Sequence, residues 1–295
     1  MTEGIAFING GYCPISEAKI SVLDWGFLHS DATYDVVHVW KGRFFRLDDH
    51  IARFMRGIEK LRMTLPFDEE RLREILGECV IRSGLENSYV EMILTRGIPP
   101  IPSRDPRDAV PTFIAFAIPF GWIANEQQRA HGLDLHISTV NRIDPASVDP
   151  TIKNYHWLDL IAGLYEAYDA GRENVLLIDR AGNLAEGPGF NVFGLSDGTL
   201  MTPGGGVLEG ITRKTAMELA LELGVSVEAG ALTPDALRKS DEVFITSTAG
   251  GIMPISRLDG VPVGDGKPGA FTLRITNLYW EKHSDSAWSC PVSGE

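Results

Sequence analysis

The stretch Asp149-Pro150-Thr151-Ile152-Lys153-Asn154-Tyr155-His156-Trp157-Leu158 sets one lysine among apolar and aromatic residues at the mouth of an expected helix. Burial disfavours an ammonium ion. A neutral amine attacks an aldehyde and forms a Schiff base. The competing reading is a surface lysine whose stem covers its apolar neighbours while its head stays in water. Of the chain's lysines, Lys153 keeps the most apolar company. Two other stretches could hold an anion or approach a ligand closely. Gly210-Ile211-Thr212 opens an expected helix, whose free amides and positive dipole end bind anions. Ser247-Thr248-Ala249-Gly250-Gly251 follows an expected strand, and its small residues let backbone approach a ligand closely. Each also reads as an ordinary helix start or turn.

Two charged residues join this set. Glu186 is enclosed by small and apolar residues in Leu184-Ala185-Glu186-Gly187-Pro188-Gly189-Phe190-Asn191, where a carboxylate either pairs with a buried cation or is a loop glutamate. Arg53 falls in the first turns of a helix whose neighbourhood also holds Arg46, Arg56 and Arg62. Such arginines are ordinarily solvated, and one of them can instead fork onto a phosphate.

The elements that must position these groups are of mixed type. Residues 4–11 and 42–47 carry strand and turn signals, and Asp48-Asp49 is expected to cap a helix through Ile51, Phe54, Met55, Ile58 and Leu61. A second helix is predicted over 68–83, with Leu72, Ile75, Leu76, Cys79 and Val80 on one stripe and Gly84 closing it. Strands over 89–95 and 112–120 complete an α+β unit. Between them, Pro99, Pro100, Pro102, Pro106 and Gly97 predict a long loop without regular structure. Further on, helices over 155–170 and from Gly210 alternate with strands over 174–178, 190–195, 199–201 and 242–246. The expected fold class is α/β: an α+β N-terminal domain over 1–124, a connection over 125–133, and a larger α/β domain over 134–295 that carries Lys153.

Composition narrows the function classes. A formal net charge of -13 over 295 residues, with no basic block, argues against a nucleic-acid or anionic-membrane surface and for a small-molecule partner. Cys13, Cys79 and Cys290 are widely separated and lack CxxC spacing, so neither a disulfide framework nor a metal site is expected. Residues 1–9 lack the pattern of a secretory signal, and the longest apolar stretch is broken by Pro119 and Gly121. A soluble, cytoplasmic protein is expected.

Taken in order, Lys153, Glu-Gly-x-x-x-Asn over 186–191, Gly-Ile-Thr-Arg over 210–213 and Ser-Thr-Ala-Gly-Gly over 247–251 resemble the class IV aminotransferases. These are pyridoxal-phosphate enzymes of fold type IV. Within the class the chain is most similar to the (R)-selective amine:pyruvate transaminases, through Leu23 to Asp31, Thr33-Tyr34-Asp35-Val36, Gly42 to His50, Asp149 to Lys153 and Thr248 to Pro254. Branched-chain and D-amino-acid transaminases differ around His29, Val36 and Trp157.

The resemblance implies a role for each residue. Lys153 would hold pyridoxal 5'-phosphate as a Schiff base and later move the substrate proton. Glu186 would keep the pyridine nitrogen protonated. Arg53, Ile211, Thr212 and Thr248 would bind the phosphate, and Leu208 would pack on the ring. His29, Tyr34, Val36, Tyr89, Glu91, Trp157, Thr248 and Ala249 would line the substrate pocket. Within it, Val36 and Ala249 would leave room for a methyl group, and His29 and Tyr34 would border a larger space. Relatives carry an arginine for the acceptor carboxylate in the loop after Thr-Arg-Gly. Pro102 stands at that position here, so Arg104 or Arg96 would serve. The implied reaction takes an amino group from an (R)-amine to pyruvate in a homodimer with active sites at the dimer interface. The alternatives are a D-amino-acid or branched-chain amino-acid transaminase and, further off, a lyase on the same scaffold.

Overall fold

A computed structural model describes residues 3–292. It divides the chain into two units. The first runs to Gly121 and also takes in Ile152–Tyr155 and the chain from His283; the second comprises Trp122–Thr151 and His156–Lys282. The chain therefore returns twice to its first unit. Ile152–Tyr155 returns because the Lys153 carbonyl accepts hydrogen bonds from Tyr34 N and Thr33 Oγ1, both at 3.0 Å. The C-terminal stretch returns because its last strand adds to the first unit's sheet.

In chain order the elements are β1 (Ile5–Ile8), β2 (Gly11–Pro14), α1 (Trp25–His29), β3 (Ala32–Trp40), β4 (Arg43–Phe45), α2 (Leu47–Lys60), α3 (Glu69–Ser83), β5 (Ser88–Ile98) and β6 (Val110–Pro119). There follow α4 (Glu126–His131), β7 (Leu133–Asn141), α5 (Leu158–Asp169), β8 (Asn174–Ile178), β9 (Asn191–Ser196), β10 (Thr199–Pro203), α6 (Ile211–Glu222) and β11 (Ser226–Gly230). The last are α7 (Pro234–Arg238), β12 (Glu242–Ser247), β13 (Gly251–Leu258), β14 (Val261–Pro262), α8 (Ala270–Glu281) and β15 (Ser289–Pro291).

The first unit is an antiparallel sheet in the order β15-β4-β3-β5-β6-β1-β2. Helices α2 and α3 cover one face of it. Alternation along β5 sorts the two faces: Val90, Met92 and Leu94 join the core with Ile51, Phe54, Leu72 and Ile75, while Tyr89, Glu91 and Ile93 leave on the other side. The second unit has a mixed sheet in the order β11-β10-β9-β12-β13-β7-β8, with β14 paired to β13. Helix α5 packs on β7 and β8, and α6 and α8 pack on β12 and β13.

Several local expectations change. Helix α2 starts at Leu47, with Arg46 in the left-handed region as its N-cap at φ 57°, so Asp48 and Asp49 lie in the first turn and complement the dipole rather than capping it. Helix α5 starts at Leu158 rather than at 155, and Lys153 lies outside regular structure five residues before it. Strand β5 runs through Arg96 and Gly97 to Ile98, across a register shift between Thr95 and Ile98, so the irregular loop is shorter than expected. Gly97 permits that path: at φ 77°, a Cβ there would sit 1.7 Å from the Val110 carbonyl oxygen. Neither β3 nor β7 is among the strands expected from the sequence. By contrast α3 follows its signals, since Asp68 accepts from Arg71 N at 2.9 Å and Gly84 ends the helix at φ 68°.

Candidate active site

In the first unit Tyr34, Val36, Tyr89 and Glu91 gather on the face of the sheet opposite α2 and α3, with the Lys153 amine over Tyr34. The tie between the Lys153 carbonyl and the start of β3 brings the half-buried Lys153 amine to 4.5 Å from the Tyr34 ring centroid. Tyr34 stacks in turn on Tyr155, with centroids 4.3 Å apart and planes 10° from parallel. The Tyr155 hydroxyl donates to Glu91 Oε1 at 2.8 Å. Register places Val36 directly opposite Glu91 and His38 opposite Tyr89. Burial pushes the Glu91 carboxyl pKa up, and the Tyr155 hydrogen bond and the Lys153 charge oppose that rise. Burial, with Glu91 nearby, also raises the Tyr89 and Tyr155 phenols, so both remain neutral donors.

Arg53 is set differently from a solvated arginine. It is 4% exposed, and its Nε and Nη2 donate to Asp35 Oδ2 and Oδ1 at 2.7 and 2.8 Å. His50 Nδ1 lies 2.8 Å from the same Asp35. Of the two arginines considered for an acceptor carboxylate, Arg96 forks onto Asp31 at 2.9 and 3.0 Å and donates to the Leu61 carbonyl at 2.7 Å. Arg104 is exposed in the loop between β5 and β6. His29, expected in the pocket, stands exposed at the end of α1, edge-on to Trp25 at 5.0 Å.

The second unit holds the other candidates. Glu186 is 6% exposed and occupied at both oxygens: Arg142 Nε donates to Oε1 at 3.1 Å and Leu208 N to Oε2 at 2.9 Å. Arg142 Nη1 also donates to Asp159 Oδ2 at 2.6 Å. Burial works against the Arg142 charge, but Glu186 and Asp159 outweigh it and raise its pKa. The Leu208 carbonyl accepts from Asn191 Nδ2 at 3.0 Å, which fixes the approach to Gly210, the N-cap of α6. Ile211 and Thr212 are buried in the first turn. That turn has no acidic residue and no side-chain cap, so its amides and dipole suit an anion. Thr246, opposite Asn191 in register, has a buried hydroxyl with no hydrogen-bond partner among the described residues. A phosphate supplies the acceptors that such donors lack, so these residues fit a phosphorylated cofactor. Thr248 and Ala249 lie in the turn between β12 and β13, which is held by Ser247 Oγ donating to the Gly189 carbonyl at 2.8 Å. A Cβ at Gly189 would lie 3.7 Å from the Trp157 ring, so that turn and the α5 N-cap share one neighbourhood.

The sequence reading gives no site role to Asp35, His50, Arg142, Asp159 or Tyr155, although Tyr155 stands in the Lys153 stretch and Asp35 and His50 in the resembling segments. Asn191 belongs to the motif that carried Glu186 and could have been singled out there. For Arg142 and Asp159 the chain offers no local signal, because each acquires its role from a partner far away in sequence.

Comparisons with known proteins bear on the family and the fold. The family model for amino-transferase class IV matches residues 32–258. The D-alanine aminotransferase of Listeria innocua is 30% identical over 284 residues, covering 93% of this chain and 94% of that protein. Among solved structures, the T.th. branched-chain amino acid aminotransferase with pyridoxamine 5'-phosphate matches with a TM-score of 0.93 at 29% identity, covering 99% of this chain and 100% of that one. The branched-chain enzyme of Escherichia coli matches with a TM-score of 0.92 at 25% identity, covering 99% and 100%. No described helix is long and apolar enough to cross a membrane.

Proposed function

The chain belongs to the class IV aminotransferases, pyridoxal 5'-phosphate enzymes of fold type IV, and on that premise we propose that it moves an amino group from an (R)-configured primary amine to pyruvate. The products are a ketone and alanine. The bound cofactor supplies an aldehyde on an electron-accepting ring that holds the amino group between the two half-reactions. Lys153 would hold that aldehyde through Nζ and, once the donor's amine has taken its place on the aldehyde carbon, the freed lysine amine would take the proton from the donor's amine-bearing carbon. Glu186, held in place by Arg142 and Leu208 N, sets a negative charge for the pyridine nitrogen. The Ile211 and Thr212 amides, the Thr212 hydroxyl, Thr248 and Arg53 would hold the phosphate, and Leu208 would pack on the ring.

The observation that carries the amine reading is the make-up of the Lys153 face. Tyr34, Val36, Tyr89, Glu91 and Tyr155 offer it apolar surface, phenols and a carboxyl, while Arg53 and Arg96 are engaged by Asp35 and Asp31. A donor without a carboxylate suits such a wall. The exposed Arg104 is left for the pyruvate carboxylate.

A second reading, a D-amino-acid or branched-chain amino-acid transaminase, is supported by the names of the relatives and keeps the same cofactor residues. Rates with (R)-1-phenylethylamine, D-alanine and L-leucine, measured side by side with matched keto acids, separate the two. The amine should lead with pyruvate as acceptor; faster turnover of either amino acid sinks the amine reading. Turnover that does not depend on a keto acid would instead indicate a lyase.

Exposed apolar side chains at Val22, Leu23, Phe27 and Leu28, and on α5 at Leu158 and Tyr165, support a homodimer.

A further inference from the structure

Tyr155 does more than lend surface to the Lys153 face, because its ring and its hydroxyl are both engaged there. The ring lies parallel to Tyr34, against whose face the Lys153 amine rests. Its hydroxyl holds Glu91 Oε1 at 2.8 Å. A tyrosine whose two ends are fixed in this way determines where the Glu91 carboxyl points, since a free glutamate has three side-chain torsions to sample. The phenol is a dependable donor because burial and the neighbouring Glu91 raise its pKa.

The position of Glu91 gives that orientation a consequence. Residues directly opposed across antiparallel strands leave the sheet on the same face, about 5 Å apart at Cβ. Val36 and Glu91 are such a pair. Whatever small substituent Val36 accommodates therefore lies beside the Glu91 carboxyl. A methyl group there gains only contact. A carboxylate sets its acceptor oxygens against those of Glu91, and the arginines Arg53 and Arg96 already serve Asp35 and Asp31. A hydroxyl in that place donates to a Glu91 oxygen.

Resting on the amine-donor reading above, we infer that Tyr155 is a positioning residue that orients Glu91 to select donors whose small substituent carries a hydroxyl, the vicinal amino alcohols, over donors with a carboxylate in that place.

The test uses three donors with one spatial arrangement: 1-phenylethylamine and its analogues with the methyl replaced by hydroxymethyl or by carboxylate. In the holoenzyme with pyruvate, the hydroxymethyl donor should exceed the carboxylate donor in kcat/KM. That ratio should fall about tenfold in Tyr155→Phe, mainly through KM, as expected for one hydrogen bond. Glu91→Gln, which keeps the ring stack, should lower the same ratio and serves if Tyr155→Phe is unstable.

A second readout does not depend on turnover. In protein carrying 13C at glutamate side-chain carboxyls, the Glu91 titration midpoint should move up in Tyr155→Phe, because the lost hydrogen bond favoured the ionised form. A Glu91 midpoint that stays in place, or a loss shared equally by all three donors, overturns the inference while leaving the amine reading intact. A wild-type enzyme inactive on all three donors overturns the amine reading, and this inference with it.

Discussion

Both oxygens of Asp35 are occupied by Arg53, through Nε at 2.7 Å and Nη2 at 2.8 Å, and His50 Nδ1 shares one of them at 2.8 Å. Burial alone would raise the Asp35 pKa; the Arg53 charge and the His50 hydrogen bond overturn that effect and hold it well below the usual carboxylate range. A strand residue thus fixes the planar fork of a helix residue, which limits the directions in which Arg53 can address a phosphate.

Replacing Asp35 with alanine should cost about 3–5 kcal/mol of stability, since it takes the carboxylate partner from a buried guanidinium. The sign of the pH dependence follows from the depressed pKa. The contribution is fully present above the unfolded value near 4 and is lost as pH falls from there toward the folded value. Urea unfolding of wild type and Asp35→Ala should therefore differ by a constant amount from about pH 5 to pH 8 and converge in more acid solution. A difference that persists undiminished in acid would mean that Asp35 acts through packing and not through its charge.

Lys153→Ala should retain a folded first unit, because the lysine's structural tie is its backbone carbonyl, which accepts from Tyr34 N and Thr33 Oγ1 and survives the substitution. The purified variant should lose both the absorbance band of covalently held cofactor and turnover with every donor. Far-ultraviolet circular dichroism should match wild type. Retained turnover would remove Lys153 from the chemistry.

Glu186→Gln should keep the hydrogen bond from Leu208 N and lose the charge. If Glu186 serves the pyridine nitrogen, turnover should fall on the order of a hundredfold or more, as when a fixed electrostatic partner is removed, while bound cofactor is retained. Loss of cofactor without loss of turnover per bound cofactor would make Glu186 an anchor instead.

What the chain displays locally it displays well. Helix α3 is announced by Asp68 and Gly84, α6 by Gly210, and β12 by an apolar run, because caps and periodicity act within a few residues. Strand β3 hides because Asp35 and His38 interrupt its apolar run, and the groups that make them tolerable are distant: Arg53 and His50 for one, and His283, 245 residues along the chain, for the other. The start of α5 is misread because the aromatic character of Tyr155 and Trp157 continues the helical pattern, whereas Tyr155 is committed to Glu91 and Tyr34. At the candidate site, Lys153, Glu186 and the α6 terminus are legible as residue types in suitable company. Arg142, 44 residues from Glu186, becomes visible only when the fold brings the two together.

The α6 terminus can be tested without touching a charged group. Gly210 has φ -60°, a conformation open to any residue, so alanine there meets no backbone penalty. Its Cβ would, however, fall 2.2 Å from Asn191 Oδ1, and Asn191 is the residue that holds the Leu208 carbonyl. Gly210→Ala must therefore displace Asn191 or tilt the first turn of α6, and either change re-aims the Ile211 and Thr212 amides. If these amides hold the cofactor phosphate, affinity for pyridoxal 5'-phosphate, measured by equilibrium dialysis, should weaken about tenfold, the scale of one or two lost hydrogen bonds to an anion. Gly11→Ala, where a Cβ meets nothing within 4 Å, is the matched control and should bind as wild type does. Equal affinity in both variants would place the phosphate away from α6.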